Sequence, residues 1–180
     1  MKKITTILVC ITCALLWTAR ISAQLNAIEW SKKKKLTWED FQGKPDSTSP
    51  QFAYTKYRIA HTYGSEGNGV LTSSVRCLFM KDKSWKKTGS NLTPELLKHE
   101  QQHFNIADIY AKKLKRQFDD YTSTHTQDDS TVADMAHIVQ KILTDCDDYN
   151  DLYDKETDYG RNTTQQKKWK KKIKKQLRKR

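Results

Sequence analysis

The sequence predicts an α+β fold: a small antiparallel β-sheet packed against two main helices, followed by a basic C-terminal helix. Three observations predict it. Residues 52–63 and 70–81 are rich in Tyr, Phe, Thr and Val and flank the turn run Gly64-Ser65-Glu66-Gly67-Asn68-Gly69, the pattern of a hairpin. Apolar residues recur at helical spacing from Leu97 to Phe118 and again from Ala136 to Leu143, which marks two helices with one buried face each. Residues 165–180 hold ten Lys and Arg and no acid, with Trp169, Ile173 and Leu177 on a single stripe. A chain of 180 residues suits one domain with appendages. The expected parts are residues 1–23, 24–164 and 165–180.

Residues 1–23 read as a secretory signal peptide. Lys2 and Lys3 supply the positive start, Ile4 to Trp17 is mostly apolar, and Ile21-Ser22-Ala23 ends on a small residue before Gln24, so cleavage is expected after Ala23. The apolar run is short for a membrane span and Arg20 interrupts it. Neither Cys10 nor Cys13 follows the small residue that lipid attachment needs. The expected location is therefore exported, periplasmic or extracellular. Cys77 and Cys146 remain as an even pair, and in an exported chain that makes a disulfide between them an expectation. Losing Lys2, Lys3 and Arg20 takes the formal charge from +12 to +9, and the ten cations of 165–180 leave residues 24–164 at −1. The body is near neutral, so nucleic-acid binding by the whole protein is not implied.

Along the body, the alternation of Leu36, Trp38 and Asp40 predicts a short strand ending at Gly43, and residues 44–51 are loop material. The strands at 52–63 and 70–81 follow, with Val75, Cys77 and Phe79 on one face. Thr93, Pro94 and Glu95 fit the N-cap, first position and first turn of a helix running to about Tyr121. Its core face holds Leu97, Phe104, Ala107, Ala111, Leu114 and Phe118. The stripe beside it holds Leu96, His99, His103, Ile106 and Tyr110. Residues 122–130 break the pattern. A second helix is expected from Thr131 to about Tyr153, with Ala136, Val139, Ile142 and Leu143 inward. The basic C-terminal helix has two readings. Its stripe packs on the domain and its lysines are solvated, which is favoured, or it lies on an anionic lipid surface or polyanionic envelope polymer.

The chemistry is concentrated in His99-Glu100-Gln101-Gln102-His103. On a helix the two histidines project from one face, so both imidazoles can bind one ion, and Glu100 lies about 60° round the helix from His103, within reach of a metal-bound water. This is the arrangement of zinc hydrolases, with Glu100 as general base and Zn2+ as the expected cofactor. A catalytic zinc site needs a third protein ligand. His61 (in a strand), His125 (in a polar loop) and His137 (on the second helix) are better read as structural or solvated, and Asp108 points away. The segment Tyr153-Asp154-Lys155-Glu156-Thr157-Asp158-Tyr159-Gly160 concentrates oxygen ligands just after the second helix.

Several segments together resemble a family of bacterial secreted proteins of unknown function, regarded as candidate zinc-dependent proteases. They are Leu36 to Gly43, Lys83-Ser84-Trp85, Leu96 to Phe104, Tyr153 to Gly160, and Gln166, Trp169 and Ile173. The family's late segment reads Tyr-Asp-x-Glu-Thr-x-His-Gly, and Tyr159 stands where it has the histidine. The resemblance thus implies Tyr159 at the third ligand position beside His99 and His103, a weaker ligand than imidazole. A fainter likeness, to peptidases with an acid ligand shortly before a Tyr-Gly pair, implies Glu156. Asp154 and Asp158 stay open. The expected function is a secreted zinc-dependent peptidase acting on a peptide or protein substrate. The alternative is a non-catalytic envelope or binding protein that retains the fold with a weakened or structural metal site.

Overall fold

A computed structural model describes residues 26–65, 69–89 and 91–178. The expected signal peptide, with Cys10 and Cys13, lies outside these residues. The elements are β1 (Ala27–Glu29), a 3-10 turn (Trp38–Asp40), β2 (Ala53–Tyr54), β3 (Tyr57–Ser65), β4 (Leu71–Met80), β5 (Trp85–Lys86), α1 (Pro94–Thr124), α2 (Thr131–Thr157) and α3 (Thr163–Leu177). The fold is α+β, as the sequence predicts. Strands β3 and β4 form the expected antiparallel hairpin, in register from Tyr57 opposite Phe79 to Ser65 opposite Leu71. Strand β1 pairs with the other edge of β4, and β2 and β5 form a separate two-stranded ladder. Cys77, Leu78, Phe79 and Met80 are all buried, so the end of β4 away from the hairpin turn is covered on both faces.

Helix α1 is the centre of the molecule. Its face of Phe104, Ala107, Ala111, Leu114 and Phe118 is buried, and Phe104 meets Phe79 of β4 with ring centroids 5.7 Å apart. Helices α2 and α3 pack on α1 and on each other. Trp169 and Ile173 of α3 are fully buried in the same core, each adding about 1.5–3 kcal/mol of burial free energy. The basic helix therefore packs its stripe inward, as favoured, and starts at Thr163. Among the described residues, no helix is long and apolar enough to cross a membrane.

Three expectations are corrected. The segment around Trp38 is a 3-10 turn and not a strand. Asp40 Oδ2 accepts from the Thr37 backbone N–H at 2.9 Å, and such local side-chain bonds compete with a β-ladder. The Leu36 N–H goes instead to Gln101 Oε1 at 2.9 Å, which ties this segment to α1. Helix α2 runs one turn further than expected, to Thr157, and buries Met135, Ile142, Cys146 and Tyr153 while Ala136 is exposed. The cysteines are free and buried. Cys77 Sγ lies 4.0 Å from the Phe104 carbonyl, and Cys146 Sγ lies 3.6 Å from Tyr57 Oη. Each sulfur fills its own core position, and burial pushes both thiols up, Cys146 to about 12.

Candidate metal centre

The two imidazoles sit near the start of α1, where the helix is well anchored. Pro94 opens the helix and Thr93 Oγ1 accepts the Leu96 N–H at 3.1 Å, which satisfies an otherwise unpaired donor of the first turn. His99 and His103 are both buried, with their rings nearly perpendicular at 86°. Opposite them, α2 presents Asn150, Tyr153 and Asp154, residues at i, i+3 and i+4 and hence on one face. Asp154 Oδ1 lies 3.0 Å from His99 Nε2 and 3.0 Å from His103 Nε2. The two Nε2 atoms are 3.1 Å apart. Donors bound to one tetrahedral zinc at about 2.0–2.1 Å lie about 3.3 Å from each other. Two imidazole nitrogens and one carboxylate oxygen in a near-equilateral triangle therefore fit a single ion in spacing and in donor type.

The surrounding bonds select, at His103, the form of imidazole that a metal needs, and at His99 they are compatible with it. The Asn150 amide nitrogen donates to the Cys146 carbonyl at 2.9 Å and towards Tyr57 Oη at 3.1 Å. A carbonyl can only accept, so the orientation of the amide is fixed and Asn150 Oδ1 faces His103 Nδ1 at 2.8 Å. That oxygen also only accepts, so Nδ1 carries a proton and the Nε2 lone pair is the one left for a metal. His99 Nδ1 meets Gln166 Nε2 of α3 at 2.6 Å, while Gln166 Oε1 accepts from the Tyr153 hydroxyl at 2.7 Å. Turning that amide over exchanges both roles, so Gln166 can also accept from His99 Nδ1–H. The Tyr153 ring stacks on His99 at 4.7 Å. Gly160 completes the enclosure: it has φ +86°, and a Cβ there would come 3.1 Å from His99 Cγ.

The family described as "Bacterial protein of unknown function (DUF922)" matches residues 28–160. The chain belongs to that family. No curated protein and no solved structure matches it. The matched span of this family member runs from β1 to Gly160, so it contains His99, Glu100, His103, Asn150 and Asp154, whereas Gln166 and the rest of α3 follow it.

Of the four oxygen groups the sequence leaves open, the structure brings Asp154 against the imidazoles. Glu156 points to α3, where its Oε2 accepts from Trp169 Nε1 at 2.7 Å. Asp158 pairs with Arg161 at 2.8 Å. Tyr159, the residue the resemblance implies, follows the end of α2 with φ +50° and is 42% exposed at the rim of the site. The physical reason lies in the extra turn of α2. Asp154 continues the inward stripe of Cys146, Asn150 and Tyr153, while Asp158 to Gly160 have left the helix with positive φ. The other histidines lie elsewhere: His61 packs edge-on to Phe118, His125 stacks on Tyr121, and His137 is exposed.

Glu100 is buried, and its Oε2 accepts the Thr55 hydroxyl at 2.7 Å. Sequence reasoning misses both Thr55 and Asn150, because nothing local links position 55 to 100 or 150 to 103. His99, Glu100, His103 and Asp154 line an open cleft of about 610 Å³, walled on one side by residues 50–57. Burial alone would raise the Asp154 carboxyl, but the hydrogen bonds and charges of His103 and His99 outweigh it and hold the group well below the usual carboxylate range. Burial works against a charged His103, yet Asp154, Glu100 and Asn150 together push it up to about 9. Burial shifts His99 the other way, downward.

Proposed function

We propose that this protein is a metal-dependent hydrolase, a zinc peptidase, in which His99, His103 and Asp154 hold the ion and Glu100 is the general base. The observation that carries the reading is the triangle of His99 Nε2, His103 Nε2 and Asp154 Oδ1, with edges of 3.0–3.1 Å, on the wall of an open cleft that Glu100 also lines. A closed structural site would surround its ion with protein ligands, whereas three ligands beside a cleft leave a position for water. The cleft volume falls in the range of about 300–1,000 Å³ usual for ligand sites.

When bound, zinc polarises a carbonyl and makes its water acidic near neutral pH. The residues of the chain do the rest. Thr55 holds Glu100 Oε2, which leaves Oε1 to take a proton from the attacking water and return it to the departing amine. Asn150 keeps the His103 Nδ1 proton in place, so that ring meets the cleft through Nε2. The reading includes export through residues 1–23, with a mature chain beginning at Gln24.

The test is zinc stoichiometry together with cleavage of a peptide library. Glu100→Gln is expected to keep one equivalent of zinc and to lose about 10²–10⁴-fold in hydrolysis. Asp154→Asn is expected to weaken zinc binding, while Tyr159→Phe leaves it unchanged. Wild-type cleavage by Glu100→Gln overturns the assignment of the base. One equivalent of zinc without any cleavage by the wild type favours the non-catalytic reading.

A further inference from the structure

Helix α3 carries a charge pattern that its role in the core does not require. Trp169 and Ile173 are buried, Leu177 packs against the same core, and the Trp169 indole N–H is bonded to Glu156. The apolar side of the helix is thus occupied by this chain. On the opposite side, a rotation of 100° per residue puts Lys167, Lys168, Lys171, Lys174, Lys175 and Arg178 within an arc of about 120°, along a row about 16 Å long. All six are exposed. No acid lies between Thr163 and Arg178.

The contrast with the other helices is specific. Lys98 pairs with Glu95, Lys115 with Asp119 and Lys141 with Asp145, so each of those cations has a carboxylate on its own helix. Among the described residues, none of the six cations of α3 has a carboxylate at ion-pair distance. Lys167 and Lys171, Lys171 and Lys175, and Lys174 and Arg178 are like-charged i, i+4 pairs, which oppose helix formation. A planar polyanion would relieve all three at once. The arc holds five lysines and one arginine and no aromatic residue. It therefore offers mainly point charges for phosphate, with one planar fork at Arg178 and no stacking platform of the kind that reads single-stranded nucleic acid.

We propose that α3 docks on the anionic headgroups of a phospholipid bilayer through this lysine face, by charge alone, with its apolar stripe remaining in the protein core. The inference is independent of the metal site. Since Thr163, at the head of α3, also lines the cleft, docking would hold the cleft beside the lipid surface.

The test uses residues 24–180, which contain every described element, in co-sedimentation with two kinds of vesicle. One is phosphatidylcholine alone, and the other contains about 30 mol % phosphatidylglycerol. Binding is expected to the anionic vesicles alone, and to vanish by about 0.5 M salt as screening shortens. Tryptophan emission is expected not to shift on binding. Lys167, Lys171, Lys174 and Lys175, all changed to Gln, should lower partitioning by more than about a hundredfold, at about fivefold per cation. The same change at Lys32, Lys33, Lys34 and Lys35 removes equal charge elsewhere and should cost less than about fivefold. Equal losses in the two variants, binding to neutral vesicles, a blue shift on binding, or tighter binding to a DNA duplex at matched phosphate would each overturn the proposal. The salt dependence of the unmodified chain tests it without any variant.

Discussion

At the scale of single residues, Asn150 sets which nitrogen of His103 faces the candidate centre without a proton. Its amide is oriented by a backbone carbonyl, and that orientation fixes the proton on His103 Nδ1. Asn150→Leu is expected to weaken zinc binding about 10–100-fold, the usual cost of losing such a partner. Asn150→Asp still accepts from Nδ1–H but loses the N–H that Asn150 donates to the Cys146 carbonyl, so it should recover only part of it. Competition with a coloured chelator measures both. The titration of His103 gives a second expectation. Its value in the folded, metal-free protein, about 9, lies above the ordinary value of 6.5. The protonated ring therefore contributes stability that is fully present below pH 6.5 and is lost as pH rises through 9. His99, shifted downward by burial, opposes this only below about pH 6.5. The metal-free protein is thus expected to become less stable between pH 6.5 and 9. Zinc affinity should rise over the same interval, because the ion must displace the His103 proton. Denaturant melts at a series of pH values, with and without zinc, measure both trends.

At the scale of elements, the helices were legible and their ends were not. The α1 face of Phe104, Ala107, Ala111, Leu114 and Phe118 follows from periodicity, and its start follows from Thr93 and Pro94. The hairpin follows from β-rich runs on either side of a glycine turn. Asp40 defeats the expected strand at Leu36 to Asp40, because its carboxylate caps a turn. The extra turn of α2 was hidden by the polar composition of Asp154 to Thr157, although Cys146, Asn150, Tyr153 and Asp154 continue a helical stripe. Helix α3 follows the span matched to the family, yet it is a layer of the core. Trp169→Ala is expected to cost about 3–5 kcal/mol in chemical denaturation, and it also removes the indole that engages Glu156. A loss below about 1 kcal/mol would show that α3 is an appendage.

At the scale of the whole molecule, the candidate centre is an assembly of layers. His99, Glu100 and His103 come from α1, Asp154 and Asn150 from α2, Gln166 from α3, and Thr55 from the chain beside β2. An ion held by two layers that separate on unfolding stabilises the folded state alone. Zinc at about 100 times its Kd should add about 2.7 kcal/mol, and a chelator should reverse the gain. A calorimetric scan with and without zinc checks this, and the gain should be absent in Asp154→Asn. The sequence by itself determined the hairpin, the two long helices and the placing of His99, Glu100 and His103 on one helix face, because those depend on interactions within a few residues. It left the third ligand open among Asp154, Glu156, Asp158 and Tyr159. Only the tertiary structure decided which of them meets the imidazoles, because that choice depends on where α2 ends and how it packs on α1 some fifty residues earlier in the chain.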